Sequence, residues 1–428
     1  MTVERLVELL KGSGADAWEL TDVVEEGWEF YFIRRKLDQN RAKLTEHIRV
    51  KAYKKSDDGA FLGAAAGEVP PTATDDEARA VIARLLKNAA YVKNPFYTLN
   101  PPAGGAAGAA ESVDPAPIAR DFIEAVRAVP ETADADINSC ELFASGIRRR
   151  FLNSEGIDVV SAYPSSMAEV VVNARREGRE IELYRMYRSG ECDREALIRD
   201  LTETMRYGRD KLAARPTPSL GRADVVFSGE AAKELYGWFA ERMHAGFKVF
   251  GYSDWEIGRP VVPGAEGDRV TLTARRHLPN SSENAAFDPE GAPIRDVVMI
   301  EDGVARAFLG SRQFSQYLKL EDSFIEGNLE VSGGTAPAAA LRQGRFLEAV
   351  EFSDFQVDPF NGDIAGEIRL AYWHDGDRVI PVSGGSVSGT MAALAKRMRM
   401  SAERRQYDCW LIPAATRLEG VTVTGAQG

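Results

Sequence analysis

Seven side chains in this 428-residue chain could bind a soft metal or act as a nucleophile: His47, His244, His277 and His374, and Cys140, Cys192 and Cys409. A hydrolytic zinc centre needs three ligand side chains and an open position for water. No two of the histidines fall within one helical turn, so the short spacing that sets two imidazoles on one helix face is absent. A cysteine nucleophile needs a base within hydrogen-bond reach, and the spacing offers Cys409 none. Cys409 therefore reads as a buried apolar thiol. His374 stands beside Asp375-Gly376 and reads as an exposed hairpin histidine. The run from Gly384 to Gly389 misses the G-x-S-x-G spacing of a nucleophile elbow in every register. Its glycines predict a tight turn, with Ser388 near the N-cap of a helix beginning at Thr390. No P-loop and no dinucleotide fingerprint is present, and the acidic pairs Asp57-Asp58 and Glu301-Asp302 sit in turns, where such residues are expected for conformational reasons.

The elements that must position these groups divide into three units. Residues 99–117, LNPPAGGAAGAAESVDPAP, lack apolar periodicity and read as a Pro/Gly/Ala linker. A second break falls at Arg215-Pro216-Thr217-Pro218. The predicted organisation is an N-terminal domain over 1–98, the linker, a middle domain over 118–214 and a C-terminal domain over 215–428. The first two share a plan. One opens with a helix over Val3–Leu10, continues with strands at 18–24, 29–35, 47–53 and 60–66, and closes with a helix over Asp76–Ala90. The other has a helix over Ile118–Val129, strands at 137–144, 147–152, 157–163, 168–174 and 181–187, and a closing helix over Arg194–Leu212. The match is one of pattern and suggests duplication. The third unit is strand-rich: a strand at Ala223–Phe227, a helix from Gly229 to about His244, and hairpins around Asp302-Gly303 and Asp375-Gly376. The fold class is α+β: two helix–antiparallel-strands–helix units followed by a C-terminal domain with β-hairpins.

Composition narrows the function. The chain carries 53 basic and 65 acidic residues, a net charge of −12, which disfavours a phosphate backbone as direct partner. The short run Arg148-Arg149-Arg150 reads as a solvated strand face. No stretch of eighteen apolar residues occurs, so no spanning helix and no membrane partner is expected. The first twenty residues lack a basic region before an apolar block, and three sparse cysteines suit reduced thiols; both predict a cytoplasmic protein.

Five blocks of the third unit, in order, resemble the TldD/PmbA family of metallopeptidase-related proteins, historically described as modulators of DNA gyrase. They are ADVVFSGEAAKEL (223–235), FDPEGAPIRDVVMIEDGV (287–304), GNLEVSGGTAPAAA (327–340), FNGDIAGEIRLAYWHDGDRVIPVSGGSVSGT (360–390) and GVTVTG (420–425). The helix–strands–helix units before them agree with that family's first domains. TldD-type members carry His-Glu-x-x-x-His on the helix after the first of these strands, and a C-terminal cysteine completes the zinc site. Placed without gaps, the motif falls near Gly237, Trp238 and Arg242. Glycine has no side chain, indole only donates, and guanidinium has no lone pair to give a metal. No histidine lies between Gly229 and Arg242. Cys409 lies near the family's zinc-cysteine position, where it reads as a buried thiol or the remnant of a lost site.

The resemblance thus implies a PmbA/TldE-like chain with no catalytic residue and no metal of its own, zinc being expected in a TldD-like partner subunit. It would serve a heteromeric peptidase complex acting on peptides or unfolded protein, shaping the substrate channel and supporting its partner. Asp288 and Glu290, in the second block, and His374 are the candidates for contacts with substrate or partner. The alternative is a homo-oligomer that binds peptides or another ligand without hydrolysis. A third reading, a hydrolase using Cys409, requires a base that the sequence does not offer.

Overall fold

A computed structural model describes residues 1–103, 112–320 and 323–426. The first unit runs α1 (Val3–Lys11), β1 (Ala17–Ile33), β2 (Lys36–Lys55), β3 (Leu62–Val69) and α2 (Asp75–Ala89). The second repeats it with α3 (Pro115–Ala128), β4 (Ala135–Asn153), β5 (Asp158–Arg176), β6 (Arg179–Ser189) and α4 (Arg194–Ala213). Each helix starts where a short polar side chain satisfies a free backbone N–H. Thr2 accepts from Arg5 N at 3.2 Å, and Asp114 and Asp193 accept from Ala116 N and Ala196 N at 2.9 Å. Thr74 and Glu77 form a reciprocal capping box at the start of α2. Residues 104–111 of the expected linker lie outside the described residues, and α3 starts at Pro115, three residues before the expected Ile118.

The two units share one antiparallel sheet in the order β3-β2-β1-β4-β5-β6. Its centre is a long β1–β4 pairing that runs from Glu19 opposite Asn153 to Ile33 opposite Ser139. Three strands lie on either side of this seam in mirrored order, as the shared plan of the units implies. Helices α1 and α2 cover the first half through Leu6, Leu10, Ile82 and Leu85, and α3 and α4 cover the second through Phe122, Leu197, Leu201 and Met205. The nine short strands read from the sequence are six long ones. The apparent breaks in β1 and β4 face each other, with Gly27 opposite Ser145 and Glu26 opposite Gly146. A Cβ on Gly27 would lie 2.6 Å from Ser145 Oγ, and one on Gly146 would lie 2.2 Å from Val113 O. These glycines mark close backbone approach inside strands rather than turns. The triple-arginine run lies within β4. Arg150 pairs with Asp158 at 2.9 Å and Glu4 at 2.8 Å, Arg148 lies 3.7 Å from Asp22, and Arg149 donates to Phe287 O. On the outer side of β2, β3 covers only Ile48–Lys55; residues 36–47 have no strand on that side among the described residues.

The third unit contains β7 (Arg215–Pro216), β8 (Gly221–Ser228), α5 (Lys233–Arg242), α6 (Ala245–Val249), β9 (Thr271–Arg275), β10 (Val297–Glu301), β11 (Val304–Ala305) and α7 (Arg312–Tyr317). It continues with β12 (Asn328–Ser332), α8 (Ala338–Leu341), β13 (Phe346–Val357), β14 (Asp363–Asp375), β15 (Arg378–Ser383), β16 (Ser386–Thr390) and α9 (Met391–Leu394). The last strands are β17 (Arg399–Met400), β18 (Arg404–Tyr407), β19 (Trp410–Pro413) and β20 (Ala415–Thr424). Both Asp-Gly hairpins form: β10 pairs with β11 and β14 with β15. At the first, Asp302 and Gly303 both have positive φ, 45° and 72°, as a two-residue hairpin turn requires. One sheet has the order β11-β10-β9-β12-β19-β18, and the other β13-β8-β20-β16-β14-β15-β7. In the second, β14 also pairs with β13, which closes a five-stranded ring. Ser388 does not cap a helix: it lies in β16 opposite Ala365 and Thr422, and α9 begins after Thr390. The reason is that Gly384 and Gly385, at φ 80° and 74°, turn the chain straight back into the ring. Among the described residues no helix is long and apolar enough to cross a membrane.

The seam is sterically exacting. Gly146→Ala sets a methyl against the backbone carbonyl of Val113, which has no rotamer by which to withdraw. An equilibrium urea titration is expected to show a loss of about 2 kcal/mol, in the range of overpacked cores.

Candidate functional site

Helix α5 follows directly from β8. Gly229, at φ 88°, turns the chain, and a short 3-10 turn over Glu230–Ala232 delivers it into the helix. Leu235, Tyr236, Phe239 and Met243 face the core of the third unit. The opposite stripe, Lys233, Glu234, Gly237 and Glu241, faces a cavity of about 300 Å³ closed by Trp238, Val357, Pro359 and Trp410. Gly237 is the open floor of this cavity: a Cβ placed there would have nothing within 4 Å.

The two other motif positions are committed to packing. Trp238 is 5% exposed and meets Trp255 edge-on, with ring centroids 5.2 Å apart. The buried guanidinium of Arg242 lies 5.4 Å from the Trp238 ring and 5.1 Å from that of Trp255. It also donates to Tyr252 O and Phe360 O, both at 3.2 Å, and to the Asp254 carboxylate. A cation held against two desolvated indoles contributes about 2 kcal/mol, and its charge is permanent. His244, the histidine next along the chain, is not free to help. Its Nδ1 accepts from Gly246 N at 3.1 Å, and burial pushes its pKa down. Among the described residues no three His, Cys, Asp or Glu side chains form a metal-binding group.

Cys409 lies in the turn between β18 and β19, beside Asp408 at φ 51°. It borders a second cavity, of about 370 Å³, between β6 and α4 on one side and the β18–β19 hairpin on the other. Lys233 and Trp410 line both cavities, so the two adjoin across these side chains. Burial pushes the Cys409 thiol up to about 12; Asp408 and Glu283 add to this and Lys233 opposes it. A thiol so protonated is a poor nucleophile. Cys192, on the wall of the same cavity, is raised to about 12 by burial as well.

The remaining sequence candidates lie outside both cavities. His374 is not the exposed hairpin residue expected: its side chain is 17% exposed, and its ring stacks on Phe346 with centroids 4.1 Å apart. The physical reason is register, since His374 pairs with Phe346 on β13 and Val379 on β15 and so lies within the sheet. Its Nε2 is 3.5 Å from a Glu348 oxygen, and burial pushes its pKa down while Glu348 pulls it up. Asp288 staples a loop, accepting from Glu290 N and Ala292 N at 2.8 Å and from Ile325 N at 2.9 Å. Burial pushes its pKa up against the pull of those amides. Glu290 accepts from Arg312 N at 2.7 Å, and burial, reinforced by Glu19 and Asp288, pushes its carboxyl up to about 7. Sequence reasoning missed Lys233, Cys192, Tyr407 and Trp410. Lys233, Gly237 and Glu241 recur at four-residue spacing, which was a legible sign of one outward helix face; the cavity walls come from distant elements and left no local sign.

Residues 220–425 match the family description "PmbA/TldA metallopeptidase C-terminal domain". A protein of Haemophilus influenzae described as a metalloprotease PmbA homolog is 21% identical over 230 residues, which cover 51% of this chain and 48% of that protein. The match thus spans about half the length of that curated relative. The crystal structure of TldE from Thermococcus kodakarensis superposes with a TM-score of 0.75 at 14% identity, covering 99% of each chain. A protein of Thermotoga maritima, described as a candidate modulator of a DNA gyrase, gives 0.74 at 16% identity over 99% of each chain. One of Bacteroides thetaiotaomicron with the same description gives 0.77 at 15%, covering 99% of this chain and 98% of that one.

Two expectations follow from the side chains. Gly237 sits mid-helix with open space around it, so Gly237→Ala should raise stability by about 0.5–1 kcal/mol in chemical denaturation. Glu290 has a folded pKa of about 7 against an ordinary 4.5. Between those values the folded chain keeps a proton that the unfolded chain has released, so stability falls as pH rises through the window and is level above it. Glu290→Gln abolishes that slope. It should gain on the order of 2–3 kcal/mol over the parent at pH 8, with the gain shrinking to nothing near pH 4.5, read from urea midpoints.

Proposed function

This chain belongs to the PmbA/TldD family, and from that premise we propose that it is the zinc-free, TldE/PmbA-like subunit of a heteromeric TldD/TldE-type metallopeptidase. It pairs with a TldD-like subunit that carries the zinc, encloses peptide or unfolded protein between the two chains, and acts in proteolysis or peptide maturation. The bond is cut on the partner. The observation that carries this reading is the chemistry of α5: where a zinc helix needs imidazoles, it offers an open glycine, an indole and a guanidinium already spent on two indoles and three oxygens.

The cavities along α5 suit an enclosing role. They adjoin at Lys233 and Trp410, and the walls of the larger one come from both the second and the third unit, so it lies at a junction between layers. Asp288, Glu290 and His374, which lie outside both cavities, would then serve contacts with substrate or partner elsewhere on the chain. The chain works in the cytoplasm, apart from membranes and nucleic acid.

The test is reconstitution. The purified chain alone should hold no stoichiometric zinc by elemental analysis and release no product from an unfolded protein substrate. Mixed with a family chain bearing His-Glu-x-x-x-His, it should elute as a stable complex with zinc and activity. Tight zinc and unaided cleavage by the isolated chain would overturn the reading. A defined self-oligomer that ignores the zinc-bearing chain and binds peptide without cutting it would replace it with a homo-oligomeric binding protein.

A further inference from the structure

The exposed aromatic side chains among the described residues of the third unit are Phe250, Tyr252 and Phe360, which are 60%, 48% and 53% exposed, and they lie together. Tyr252 meets Phe360 edge-on with ring centroids 4.8 Å apart and lies 6.0 Å from Phe250. The half-buried Phe247 of α6 stacks on Phe360 at 5.3 Å, and Phe314 of α7 meets Phe250 at 5.3 Å. Five rings from three separate segments thus form one connected surface. Its backbone is fixed in advance. Tyr252 N donates to Phe247 O at 2.9 Å, and Asp358 accepts from Phe360 N at 2.8 Å. Arg242 donates to both Tyr252 O and Phe360 O at 3.2 Å, tying the two outer segments together.

We propose that this aromatic surface is where a zinc-bearing family chain docks. The inference rests on the pairing given above and assigns it a surface. Area is the first argument. A ring side chain of this kind covers about 150–250 Å², so the open faces of these three come to roughly 300 Å². That is a large share of the about 800 Å² each partner gives to a standard interface, and rings are enriched at the centre of such interfaces. Position is the second. Pro359 and Glu241 line the cavity floored by Gly237, and Phe360 and Arg242 are the next residues along the chain. A chain seated on the rings therefore stands at the rim of that cavity, as an enclosing partner must. The third argument is Arg242 itself. The guanidinium that occupies a motif position without a lone pair for zinc is the group that holds the surface together, so a chain built for this surface is one that leaves the metal to its partner. Charge excludes a different occupant. Lys248 and Arg259 alternate with Asp254 and Glu256 around the rings in sequence, a rim of both signs that suits a protein. An anionic bilayer would face those carboxylates on a chain of net charge −12.

The test compares single variants of the full chain for binding to a family chain bearing His-Glu-x-x-x-His, by sedimentation velocity and by titration onto the immobilised partner. Phe250→Asp and Phe360→Asp should each weaken the pairing by roughly thirtyfold or more, the scale of an interface hot spot, with the urea midpoint of the isolated chain unchanged. Phe250→Tyr should pair as the parent does. So should Leu44→Asp, which places the same charge on an exposed apolar residue of β2. Full pairing by both ring-to-aspartate variants, or an equal loss in Leu44→Asp, overturns the assignment and leaves the pairing standing. A parent chain that never pairs removes the pairing itself, and the assignment with it. The surface belongs elsewhere if the parent alone self-associates, or binds vesicles of phosphatidylglycerol and phosphatidylcholine, and Phe250→Asp abolishes that while sparing the mixed complex.

Discussion

A guanidinium taken out of water must be surrounded on every side, and that requirement organises the centre of this molecule. Arg242 meets most of it with two indole faces, two carbonyls and a carboxylate drawn from α5, the segment after α6 and the start of β14's approach loop, while its Nε has no hydrogen-bond partner among the described residues. The arrangement fixes the far end of α5 against the ring of strands. It also limits what Arg242 can offer, because a permanently charged guanidinium has no lone pair to give a metal ion. The outward stripe of the helix is freed from packing in consequence, and a glycine there leaves room for something else.

That room lies at a meeting of two different kinds of sheet. The N-terminal half is a single antiparallel layer made from two similar units joined along β1 and β4, whereas the third unit mixes parallel and antiparallel pairs and closes one sheet upon itself. Helix α4 is one of the pieces that touch both. It buries Leu197, Leu201 and Met205 against its own sheet, while Asp200 and Glu203 bind Arg405 of β18. The cavity next to Cys409 is bounded by this same helix, so the contents of the cavity and the docking of the two halves share one set of atoms.

Much of this was legible from residue order. Both Asp-Gly hairpins formed where they were expected, the first with Asp302 and Gly303 at positive φ, whereas the start of α3, set by Asp114 and Pro115, was read three residues late. The helix expected after the strand Ala223–Phe227 forms as α5 and carries Gly237, Trp238 and Arg242, and the PmbA/TldD resemblance extends to the fold of the whole chain. What escaped was long-range. Gly27 and Gly146 looked like punctuation but serve close contact across the seam; His374 looked exposed because its partners, Phe346 and Glu348, are remote in sequence; and the parallel pairs β12–β19 and β13–β8 join segments no local pattern connects. Cavity walls escaped for the same reason. Cys192 and Cys409 are separated by most of a domain's length of chain and are brought to one wall only by the docking of α4.

The bare outer side of β2 has its own consequence for how the protein behaves when concentrated. Twelve residues of unpaired strand would be an open invitation to cross-chain stacking and fibre growth. Here charges interrupt the stretch around its exposed Leu37 and Leu44: Lys36, Asp38, Arg41, Lys43 and Glu46 punctuate it, and Arg41 and Lys43 are braced against Glu29 and Glu25 of β1 at 3.1 and 2.9 Å. Any neighbour that extended the layer would have to desolvate these charges, which raises the cost of adding a strand along this edge.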